Sequence, residues 1–133
     1  MLLPHGTLVA LVDGDKFELF RNAGNEGEPD LVAEASPNLD VSNHSGASHH
    51  SVPGNHDDRQ VAENVHAIAA AEWLNEQVLS HKLDDLVVIA SPRALGEMRR
   101  HYHGQLKLKL LGELDKDLTG KQGSEIIAAL RSK

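Results

Sequence analysis

Four histidines, His44, His49, His50 and His56, crowd into one stretch just ahead of Asp57 and Asp58. Imidazole and carboxylate suit zinc or nickel, and a metal held there could activate water for hydrolysis. The spacing fits no ligand pattern such as His-Glu-x-x-His, and a solvated loop or a segment that orders on a partner explains it as well. Asp13 and Asp15 form a second carboxylate pair, able to hold magnesium. Asp13-Gly14 is also a common hairpin-turn dipeptide, and that chemistry needs no metal.

A third group begins at Ser91-Pro92-Arg93 and continues through Arg99, Arg100, Lys107 and Lys109. Placed beside a helix N-terminus, these cations could contact phosphates or an acidic protein partner. The plain alternative is a solvated helix face with internal pairs such as Arg93–Glu97. Lys116, Asp117 and Thr119 sit where a helix is expected to begin, so capping accounts for them, but Lys116 and Asp117 are also kept as candidates. The candidate binding residues are therefore Ser91, Arg93, Arg99, Arg100, Lys116 and Asp117. No Ser-His-Asp arrangement or phosphate-binding glycine loop stands out, so the residues name no catalytic side chain, no metal ligand and no cofactor.

The elements that must position these groups follow from periodicity. Leu86-Val87-Val88-Ile89-Ala90 is apolar without interruption, which predicts a strand covered on both faces. Ser91 fits an N-cap with Pro92 at the first helical position, predicting a helix to about His101 with Leu95, Met98 and Tyr102 on one side. Thr7–Val12 and Phe17–Arg21 predict a hairpin across Asp13-Gly14-Asp15-Lys16, and residues 30–35 a third, edge-like strand.

Residues 36–58 are rich in Ser, Asn, His, Gly and Pro, which predicts a mobile loop centred on 38–56. A long helix follows from Asp57 or Asp58 to about Ser80, with Val61, Val65, Ile68, Ala69 and Trp73 along one side. Lys109–Leu114 predicts a fifth strand whose first residues could instead be helical. Thr119-Gly120-Lys121-Gln122 has capping-box spacing ahead of a last helix carrying Ile126, Ile127 and Leu130.

The chain has 133 residues, no cysteine and a formal net charge of −7. That length fits one domain over residues 1–133, and the lack of cysteine removes any disulfide framework. No apolar run approaches a membrane span and the N-terminus lacks the pattern of a signal peptide, so a soluble cytoplasmic protein is expected. The charge is uneven: residues 1–81 hold 3 Lys/Arg and 13 Asp/Glu, whereas 82–133 hold 10 and 7. An acidic whole argues against nonspecific nucleic-acid binding and leaves a local basic face as the available surface.

Two segments carry a likeness beyond these patterns. Val88-Ile89-Ala90-Ser91-Pro92-Arg93-Ala94-Leu95-Gly96-Glu97-Met98-Arg99, followed by Asp115-Lys116-Asp117-Leu118-Thr119, resembles the signature of the bacterial "protein required for attachment to host cells" family. Val12-Asp13-Gly14 matches the end of that family's first strand. The resemblance runs through most of the chain, with Pro-Arg-x-Leu-Gly and Lys-Asp-Leu-Thr its specific pieces.

The family is related to the middle domain of archaeal and eukaryotic class-1 release factors and of Pelota. The resemblance thus implies a single α/β domain with a mixed sheet of about five strands flanked by helices, and a ribosomal ancestry. In release factors the loop before the long helix carries Gly-Gly-Gln; here that loop reads Asn43 to His56 without it, so no hydrolytic residue carries over. The expected function is non-enzymatic binding or regulation, at the ribosome, on RNA or on an acidic protein partner. The alternative is a metal-assisted hydrolase using the His-rich loop 44–58.

Overall fold

The computed structural model describes residues 1–39 and 57–132. The His-rich stretch, and nearly all of the loop expected at 38–56, lies outside the described residues. Strands β1 (Leu8–Asp13), β2 (Lys16–Asn22) and β3 (Leu31–Glu34) precede the long helix α1 (Asp57–Leu79). Strand β4 (Leu86–Ala90), helices α2 (Pro92–Arg99) and α3 (Gly104–Lys109), strand β5 (Leu110–Leu114) and helix α4 (Gly123–Arg131) complete the order. The result is one small α/β domain with a five-stranded sheet in the order β3-β2-β1-β4-β5.

The sheet is mixed. β1 pairs antiparallel with β2 and β2 with β3, whereas β1–β4 and β4–β5 are parallel. Asp13 opposes Lys16 in the ladder, so the hairpin turn itself is Gly14-Asp15. Gly14 has φ +53, a conformation most side chains resist, which explains glycine at the first turn position.

Helices cover both faces, and for that reason β1 and β4 read as unbroken apolar runs. Leu8, Ala10, Val12, Leu86, Val88 and Ala90 face a core made with α1, α2 and α3. Val9, Leu11, Val87 and Ile89 face a second core closed by Ile126 and Leu130 of α4. Every residue of β4 is fully buried.

The stripe expected on α1 is rotated from the one observed. Val65 and Ala69 of that stripe are buried, together with Ala67, Ala70, Ala71, Leu74 and Val78, whereas Val61, Ile68 and Trp73 are only half-buried. Small alanines let the helix backbone approach the sheet closely, an option that a search for large apolar side chains passes over. Trp73 packs edge-on to Phe17 at 5.6 Å between ring centroids.

Two further boundaries depart from expectation. Helix α2 ends at Arg99, where Arg100 and His101 N–H groups bond back three residues to Glu97 and Met98 in a tightened last turn. Of the expected fifth strand only Lys109 belongs to α3, as the helical alternative had it, and His103 caps that helix by accepting from the Gln105 N–H at 3.0 Å. Asn75 of α1 fixes that junction, donating to the His101 carbonyl at 2.8 Å and accepting from the His103 N–H at 2.9 Å.

Candidate functional site

Because β1, β4 and β5 run parallel, their carboxyl ends open on the same edge of the sheet. Asp13 closes β1, Ser91 follows β4, and the turn containing Lys116, Asp117 and Thr119 follows β5. The side chains of Asp13, Ser91 and Asp117 meet there in hydrogen bonds, with Glu63 of α1 and Lys16 of β2 close enough to act on their charge. Open α/β sheets commonly bind ligands at this edge.

The two carboxyl groups differ in character. Burial first, then the hydrogen bond to Asp117 and the nearby Asp117 and Glu63 charges, raise the pKa of Asp13, while the Ser91 hydroxyl opposes the rise. The pKa of Asp117 is lowered, chiefly by Thr119, whose hydroxyl and backbone N–H donate to Oδ1 at 2.7 and 3.2 Å. Asp13 and Lys16 add to that lowering. Asp13 is therefore the preferred holder of any proton shared between them.

Thr119 is consequently not a helix cap. The expected capping box fails because its hydroxyl is committed to Asp117 and Gly120 turns the chain with φ +82. Helix α4 begins at Gly123 with Gln122 at the N-cap and no side-chain cap bond. The Gly120 N–H instead donates to Glu18 Oε1 at 2.9 Å, tying this turn to β2.

Ser91 does occupy the N-cap of α2 with Pro92 just inside the helix, but its side chain makes no cap bond. Its hydroxyl serves Asp13. The first turn of α2 thus lacks a side-chain acceptor, and Arg93 stands exposed beside it.

The basic residues divide. Arg93 and Lys116 lie exposed at the carboxyl edge. The expected Arg93–Glu97 pair is absent; Glu97 instead faces Arg100 at 3.9 Å and His101 at 3.8 Å. Arg99 leaves the helix face to reach Glu113 of β5, with Nη2 at 2.8 Å and Nε at 2.9 Å from Oε1. Tyr102 donates to Oε2 of the same carboxylate at 3.0 Å, and burial followed by that charge raises the phenol's pKa. Arg99 and Tyr102 therefore fasten α2 to the sheet edge through Glu113.

From sequence alone Asp13 reads as a turn residue, a magnesium ligand or the end of the first strand, with no link to Ser91 or Asp117. Its position as the last residue of a strand parallel to β4 was the signal available. Glu63 and Glu113 gave none, since each lies far along the chain from its partners. Among the described residues, no group of three or more His, Asp or Glu is placed to hold a metal ion. No described helix is long and apolar enough to cross a membrane.

A mixed five-stranded sheet with helices on both faces and a long helix before β4 defines a release-factor-like α/β domain. The chain belongs to the bacterial archaeo-eukaryotic release factor family 12, whose model matches residues 6–130. That match supports the release-factor side of the resemblance and carries no host-attachment role. No curated protein matches the chain.

Proposed function

We propose that this protein acts by binding at the translation machinery, through the carboxyl edge of its sheet. The single observation that carries the reading is membership of a release-factor family across nearly the whole chain. That relationship supports a translation-associated role, and the edge carries two exposed cations, Arg93 and Lys116, beside the start of α2.

On this reading Arg93 and Lys116 contact phosphates of ribosomal RNA and the uncapped first turn of α2 offers N–H groups to an acceptor, whereas Arg100, at the other end of α2 and facing Glu97, stands away from that edge. Ser91 and Asp117 position the edge, held by Asp13 and Thr119. Arg99 acts indirectly, by fixing α2 on Glu113. The net charge of −7 keeps nonspecific RNA affinity low, so binding depends on where the few cations sit. Any attachment phenotype is then a downstream effect of altered translation.

Co-sedimentation of the purified chain with ribosomal particles over a salt series tests the proposal. Two phosphate contacts predict a log–log slope of about −1.5 to −2. Absence of the chain from the ribosomal pellet even at low salt would refute it.

A further inference from the structure

Helix α2 turns Ala94, Leu95 and Met98 inward and leaves Pro92, Arg93, Gly96, Arg99 and Arg100 exposed. Gly96 stands at the middle of that outer face, because Arg93 lies three residues before it and Arg99 and Arg100 three and four after it, one helical turn to either side. Arg100 caps the helix with helical dihedrals, so the spacing holds to its end.

The fold does not require glycine at this position. Among the described residues three glycines lie in helices. Gly123 has no room for a Cβ, which would stand 2.7 Å from the Leu31 carbonyl oxygen, and Gly104 is the first residue of α3. Gly96 sits mid-helix without a positive φ, and a Cβ built on it meets nothing within 4 Å. Inside a helix glycine is destabilising relative to alanine, so Gly96 weakens α2 with no return in packing or backbone geometry. It leaves bare main chain between arginines, where the backbone of another molecule can come close.

The arginines fix the chemistry of that molecule. Arg99 holds Glu113 and Arg100 faces Glu97 at 3.9 Å, yet their side chains remain 56% and 76% exposed. Arg93 and Arg100 lie seven residues apart, which is about 10 Å along the axis. A nucleic-acid strand repeats its charge at shorter intervals than that, so one strand can meet both arginines at once. Each planar guanidinium matches a phosphate through paired hydrogen bonds.

We propose that the outer face of α2 seats the sugar–phosphate backbone of RNA against the main chain at Gly96, with Arg93 and Arg100 holding phosphates on either side, an extension that rests on the proposed binding of ribosomal RNA. The contact then runs from the carboxyl edge along the helix, and Arg100 adds a phosphate contact to the two at that edge.

Equilibrium binding of the full chain to protein-free ribosomal RNA, co-sedimentation with intact ribosomal particles and thermal melts together read the outcome. Gly96→Ala should raise the melting temperature by about 2–4 °C and yet weaken RNA binding about three-fold. Gly96→Leu should weaken binding at least about ten-fold, because a larger side chain holds the strand further off. Neither change should alter the salt slope, since no cation is lost, whereas Arg100→Gln should reduce its magnitude by about 0.7–0.9. A purely structural glycine would give the opposite pairing, with lower stability and unchanged affinity, and that result overturns the proposal. Full RNA affinity in Gly96→Leu overturns it too, while ribosome binding by the unaltered chain stands. Sedimentation with particles but no binding to protein-free RNA also overturns it, and marks an acidic protein surface as the partner. Failure of the unaltered chain in both assays removes the ribosomal reading and this contact together.

Discussion

Asp13 and Asp117 share a hydrogen bond yet respond to pH with opposite sign. A carboxyl whose pKa is raised by folding contributes stability at low pH and loses it as pH rises through the folded value; Asp13 is such a group. Asp117, whose pKa is lowered, contributes above the ordinary carboxylate range and loses that contribution as pH falls through its folded value. Asp13→Asn should therefore hold or raise the melting temperature at pH 7 by about 1–3 °C, an advantage that disappears near pH 3. Asp117→Asn should lower it at pH 7 by a similar amount and lose its effect in acid. Thermal melts at the two pH values check both signs, and a clear loss from Asp13→Asn at neutral pH contradicts the assignment. Asn22 is a different kind of polar residue, fully buried and satisfied. Its Oδ1 accepts from the Gly24 and Asp30 N–H groups, both at 2.9 Å, and its Nδ2 donates to the Leu3 carbonyl at 2.8 Å. Asn22→Leu strands those partners and should cost about 2–4 kcal/mol in denaturant melts.

At the scale of elements, β4 carries the sheet between β1 and β5 with no residue exposed. Val88 faces the core of α1 and α2, and Ile89 faces that of α4. Val88→Ala and Ile89→Ala should each cost about 1–4 kcal/mol, and a loss under about 0.5 kcal/mol for either in denaturant melts would mean that its face is uncovered. This strand was legible from sequence because burial on both faces removes alternation, leaving Leu86–Ala90 as an unbroken run. The β1–β2 hairpin was legible for a related reason, its Asp-Gly turn being locally encoded. The short helix α3 was harder to read, since Leu106, Leu108 and Leu110 alternate with polar residues as a strand would. The N-terminus of α4 was misplaced because Thr119 and Gln122 have capping-box spacing, whereas the tertiary bonds of Thr119 to Asp117 and of Gly120 to Glu18 decide the turn. The rotated face of α1 depends on packing of small residues against the sheet, which periodicity of large side chains does not report.

For the whole molecule, parallel strand order brings together residues that the sequence presents far apart, and the carboxyl edge exists only through that order. Ser91, Arg93, Lys116 and Asp117 were legible as candidates from their helix-start and turn positions, but their association with Asp13 and Glu63 was not. Arg99 was legible as a cation; its engagement with Glu113 depends on β5 pairing beside β4, which brings the two residues together. Reversing Arg93 and Lys116 tests the proposed binding edge, because both are exposed and neither is tied to the core. The most direct measurement is ribosome co-sedimentation of the Arg93→Glu/Lys116→Glu double variant beside the unaltered chain at low salt. The account predicts a folded variant with unchanged thermal stability, at least about ten-fold weaker capture and a shallower salt dependence. Capture equal to that of the unaltered chain, with the same salt slope, would contradict it.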